Sequence, residues 1–89
     1  MSENDSYLSL LSDIIAKQAV ILGPDIAILK ARNVASIVVD DKGNVTELKG
    51  DPQTALQNLV DQYVELSGLI VKSALSQIFE KYPTIKKLD

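Results

Sequence analysis

Few side chains in this sequence have the type and spacing that chemistry requires. There is no histidine and no cysteine. The usual imidazole base, the thiolate nucleophile and the thiolate zinc site are therefore missing. Two carboxylate pairs come into question for acid–base chemistry. Asp61 and Glu65 stand one helical turn apart, which places both on one face of a helix. General acid–base work needs a partly buried carboxyl with a shifted pKa. This pair falls on the polar side of its segment and reads as a solvated helix face. The second pair, Asp40-Asp41, stands in a turn. No nucleophile-elbow, phosphate-loop or dinucleotide motif is present.

Tyr63 is the polar group of most interest, because it falls within an apolar stripe. Its ring is expected to be buried and its hydroxyl to find a hydrogen-bond partner. A catalytic acid or ligand contact is the competing role. The string Asp40-Asp41-Lys42-Gly43-Asn44 resembles part of a calcium loop of the EF-hand type. Setting Gly43 at the sixth position puts Val38 first and Lys49 twelfth. Neither is a carboxylate, so the ligand register fails. No catalytic, cofactor-binding or metal-ligating residue is assigned, and no cofactor.

With 89 residues the chain makes one small domain, 1–89, with flexible ends expected at 1–5 and 84–89. Hydrophobic residues are 46% and charged residues 24%, the balance of a globular protein. Small cores are marginal. Disulfides cannot help without cysteine, which leaves oligomerisation as the common route to extra burial. The net charge is −3, and Lys and Arg are scattered apart from Lys86-Lys87. A nucleic-acid partner needs a basic patch, so none is expected. Neither a signal-peptide pattern nor a membrane-length apolar run is present. No membrane partner is expected, and the location read is cytoplasmic.

The elements that position these residues centre on 51–82. Asp51 can cap a helix and Pro52 suits its first position; Pro83 stops it. Leu56, Leu59, Val60, Tyr63, Ser67, Ile70, Val71, Ala74 and Ile78 recur at a helical period, with Asn58, Asp61, Glu65, Lys72 and Ser76 opposite. A continuous helix of about thirty residues would be roughly 45 Å long. It would overhang a domain whose radius of gyration is ~12 Å. Gly68 interrupts the pattern. Close approach by a neighbouring backbone is favoured over a break, because no proline or second cap follows.

Upstream, Asp5 or Ser6 is read as the cap of a first helix. Tyr7, Leu8, Leu11, Ile14, Ile15, Gln18 and Leu22 form its main face, widened by Leu10 and Ile21, with Ser9, Asp13 and Lys17 outside. A membrane-surface helix would carry more basic residues than Lys17. Gly23-Pro24-Asp25 ends this helix and starts a short one over 26–32. Asn33 suits a left-handed cap, with Val34 folding back. Residues 36–39 and 45–48 read as a hairpin with a type I turn and a bulge at Gly43. A lone hairpin is marginal, so it must lie on the helices or pair with another chain.

The expected fold is α+β and helix-dominated: helix, short helix, two-stranded β-hairpin, long C-terminal helix. The expected function is a small non-enzymatic protein–protein interaction, assembly or regulatory domain. It self-associates as a homodimer through the long C-terminal helix, or engages another protein. Leu66, Leu69, Ile70, Leu75, Ile78 and Phe79 are the candidate self-association surface, because that half of the segment is apolar over most of its circumference. The alternative is a small apolar ligand held between the first and last helices.

Overall fold

The computed structural model describes residues 3–68 and 76–82. Over these the chain runs α1 (Glu3–Leu22), α2 (Pro24–Ala31), β1 (Ile37–Val39), β2 (Val45–Leu48), α3 (Pro52–Ser67) and a single helical turn, α4 (76–79). The helix-dominated character and the hairpin agree with expectation. Among the described residues there is no long C-terminal helix: α3 ends at Ser67. The longest helix is α1, with 20 residues, and the last is one turn.

Gly68 caps the end of α3. It follows α3 with φ +52 and ψ −111, and its N–H donates to the Val64 carbonyl. A residue with a side chain is strained at that φ, and glycine is not. A Cβ placed at Gly68 would meet nothing within 4 Å. The glycine is therefore required by a change of backbone direction, not by a close neighbour. Ile78 and Phe79 lie in the same core as Leu59 and Tyr63. On a straight helix Ile78 would lie about 16 Å beyond Ser67. Over the described residues the longest dimension is 30 Å and the Cα radius of gyration 11.6 Å, so no described element overhangs.

The start of α3 follows the sequence closely. Asp51 accepts from the Thr54 N–H at 3.0 Å and from the Thr54 hydroxyl at 2.7 Å, with Pro52 next. Ala55, Leu56, Leu59, Val60 and Tyr63 are buried, while Gln57, Asn58, Asp61 and Glu65 are exposed.

The organising element is α1 rather than the C-terminal segment. It packs on α2, β2 and α3. Leu10, Leu11, Ile14, Ile15 and Gln18 are all buried, so the helix is covered around a broad arc. It begins at Glu3, ahead of the expected Asp5 or Ser6 cap. Acidic residues in its first turn suit the positive end of the helix dipole. The Gly23-Pro24 corner then starts α2, whose Ala27 and Ala31 face the core. Its end differs from expectation. Arg32 stays right-handed at φ −68 and no residue other than glycine has positive φ among those described. The Asn33 and Val34 N–H groups instead bond back to the Lys30 and Ala31 carbonyls, a tightened last turn. Val34 does fold back into the core.

The hairpin has the expected turn. The Gly43 N–H donates to the Asp40 carbonyl at 3.1 Å, the Asp40 N–H donates to the Asn44 carbonyl at 3.0 Å, and Gly43 has φ +88. A second irregularity lies within the strands, where Val38 pairs with Glu47 but Val39 pairs with Val45. Residues three apart on a regular strand point to opposite faces. The extra residue resets that phase, so buried Val45 and half-buried Leu48 both reach the core. The hairpin lies on the helices. The Ser12 hydroxyl of α1 donates to the Leu8 carbonyl and accepts from the Val45 N–H, both at 2.8 Å.

Candidate functional site

The six residues assigned to a self-association surface separate in the fold. Ile78 and Phe79 are buried in the chain's own core. Leu66, near the end of α3, is 46% exposed. Leu69, Ile70 and Leu75 lie outside the described residues. The cover that the apolar second half needed is supplied in part by this chain, through α1.

The chemistry-bearing residues take structural roles. Tyr63 is fully buried, and its hydroxyl donates to the Ala27 carbonyl at 2.6 Å. Burial pushes the phenol pKa up, so this group holds its proton across the ordinary pH range. Asp61 and Glu65 are exposed, and Asp61 accepts from the Gln57 amide at 2.9 Å. Asp40 folds onto its own turn, accepting from the Asn44 and Lys42 N–H groups at 2.8 and 2.9 Å. Those bonds, the Asn44 one first, hold its carboxyl below the usual range.

The other tyrosines also tie distant segments together. Tyr7 donates to the Gln53 side chain at 3.0 Å. Tyr82 donates to Asp13 at 2.6 Å, which fastens the end of the C-terminal segment to α1. Burial, and then the bond to Asp13, raise the Tyr82 pKa. Gln18 belongs to the main face of α1, and the sequence marks it no further. It is buried to 1% exposure, and its Oε1 has no hydrogen-bond partner; the Ser36 hydroxyl is also buried and unpartnered.

Two surface grooves adjoin the helices. One, about 350 Å³, lies between α1 and residues 77–81, where the apolar-ligand reading looked for a pocket. Asp13, Lys17, Gln77 and Lys81 line it beside Ala16, Val20 and Ile78, a mixed polar and apolar lining. The other, also about 350 Å³, lies between α2 and the hairpin turn, lined by Asp25, Ile28, Leu29, Arg32 and Asp41. Arg32 bridges to Asp41 at 3.0 Å and reaches the Val39 carbonyl at 3.4 Å. The Ile37 N–H donates to the Val34 carbonyl. These contacts occupy part of the outer edge of β1, which disfavours edge-to-edge strand pairing.

Large apolar side chains stand outside the core on helix surfaces. Val20 is 84% exposed, Leu29 61% and Ile26 45%. Ile26 and Leu29 are three residues apart on α2 and share its outward side. Among the described residues there is no group of three or more acidic side chains placed to hold a metal ion, and no helix is long and apolar enough to cross a membrane. No protein-family model, no curated protein and no solved structure matches the chain.

Proposed function

We propose that this protein is a non-enzymatic interaction module that self-associates as a homodimer, acting in the cytoplasm as an assembly or regulatory domain. The observation that carries this reading is the outward exposure of Ile26 and Leu29 on α2. Scattered exposed apolar residues need no explanation. A pair on one side of a helix, beside a groove floored by Ile28, is a different case. A core drawn from so short a chain is marginal by itself, and covering such a face adds burial. The α2 face, rather than a long C-terminal helix, carries the association.

Sedimentation equilibrium tests it. The expected result is a species of twice the 9.7 kDa chain mass, dissociating on dilution. A folded chain that stays monomeric at millimolar concentration overturns the proposal.

A further inference from the structure

We infer that the second copy docks on the outward face of α2, antiparallel to it, across a twofold axis close to Leu29. The inference rests on the self-association reading and names its surface.

Positions along α2 support it. Asp25 stands four residues before Leu29 and Arg32 three after it. At 3.6 residues per turn both fall on the same flank of Leu29, while Ile26 falls on the other. Ala27 and Ala31 point the opposite way, into the core. A twofold axis perpendicular to α2 keeps each flank facing its own copy and reverses direction along the helix. It therefore brings Asp25 of one copy to Arg32 of the other, twice. The face is self-complementary in charge only in the antiparallel arrangement; in a parallel pair the twofold runs along the helices and sets the Asp25/Arg32 flank of each copy against the Ile26 flank of the other.

The apolar contacts agree with the charges. Leu29 projects at the centre of the face, next to the groove lined by Ile28, Arg32 and Asp41. In the antiparallel pair each Leu29 meets its counterpart and covers the Ile28 floor. Arg32 is already held by Asp41 in its own chain. Its guanidinium has five donors in a fixed fork, so it can receive Asp25 of the second copy without leaving Asp41.

The test uses the full chain and four variants, with sedimentation equilibrium for association and circular dichroism for folding. Leu29→Asp is expected to weaken the dimer at least about tenfold, as loss of a central apolar anchor does. Asp25→Arg and Arg32→Asp each place like charges together and are expected to weaken it. The double variant Asp25→Arg/Arg32→Asp restores the opposite pairing and is expected to regain most of the loss. That recovery cannot come from the bridge to Asp41, which the double variant also removes. A dimer insensitive to Leu29→Asp and to both single charge changes overturns the α2 surface but leaves self-association standing. Weakening by both single changes without recovery in the double overturns the antiparallel pairing. A monomeric wild-type chain overturns both readings.

Discussion

The Tyr63 hydroxyl of α3 donates to the main-chain carbonyl of Ala27 in α2, at 2.6 Å, inside the core. The bond joins residues 36 positions apart in sequence. It places α3 against α2 and ends the candidacy of Tyr63 as a site residue, because the hydroxyl is already engaged. Its ring lies in one apolar cluster with Leu59, Ile78 and Phe79.

Tyr63→Phe keeps the ring and removes the bond. The expected loss is about 1 kcal/mol of unfolding free energy in urea at neutral pH. An alkaline effect comes with it. The folded-state pKa of Tyr63 is raised by burial above the ordinary value of 10.0. Below that value the phenol is protonated in both states and adds no pH dependence. Above it the unfolded chain releases the proton first, so stability falls as pH rises. Tyr82 shifts the same way. Tyr63→Phe in a Tyr82→Phe background should therefore flatten the decline above pH 10; an unchanged slope contradicts the burial of the phenol.

Gly68→Ala separates a helix end from a continuous helix by sign alone. Within a helix, alanine would stabilise by roughly 1 kcal/mol over glycine. At φ +52 it should destabilise by about 1–3 kcal/mol instead. A thermal melt of the two proteins decides between them.

Docking of the hairpin on α1 rests on Ser12 and Gly43. Ser12→Ala removes the acceptor of the Val45 N–H and should cost about 1–3 kcal/mol if that group stays dry. Gly43→Ala sets a Cβ 3.2 Å from the Ile15 side chain at a positive φ, and should cost a similar ~1–3 kcal/mol. Hydrogen exchange at Val45 is expected to rise in the Ser12 variant, with little change at the Tyr63 end of α3.

Gln18→Met should raise stability. The side chain is buried and its Oε1 bonds to nothing. Replacing an unsatisfied acceptor by an apolar chain of similar length is expected to add about 1 kcal/mol. A loss in chemical denaturation would mean that the amide has a partner in solution.

Acid should weaken the fold through Asp40 and Asp51. Both pKa values are depressed below 3.8, Asp40 chiefly by the Asn44 N–H and Asp51 chiefly by the Thr54 hydroxyl. A depressed folded pKa contributes stability above the unfolded value that is lost as pH falls through the folded one. Asp51→Ala is expected to lower the neutral-pH melting temperature and to flatten its fall below pH 4. An unaltered acid profile would remove Asp51 from the cause.

The sequence is legible where local hydrogen bonding decides the backbone. Asp51-Pro52 caps a helix, Gly23-Pro24 turns the chain, and Asp40 to Asn44 closes a bulged hairpin. Each is settled within five residues, because the donor, the acceptor and the permissive φ are neighbours. The face of α3 is legible for a related reason, since one apolar stripe has one way to be buried. The proposed surface was less visible. Ile26 and Leu29 look like core residues until Ala27 and Ala31 are seen to occupy the core side of α2.

Residues 51–82 hold both outcomes. The helix start and the buried face up to Tyr63 follow from the sequence by itself. The end at Ser67 does not, because a glycine in an apolar run is compatible with a helix interior and with a reversal. The tertiary structure decided between them. The arc of α1 offers apolar surface and an Asp13 partner for Tyr82, and a straight helix would have carried Ile78 and Phe79 away from both. Burial against a distant segment outweighs the local preference to continue the helix, and only the assembled core contains that comparison.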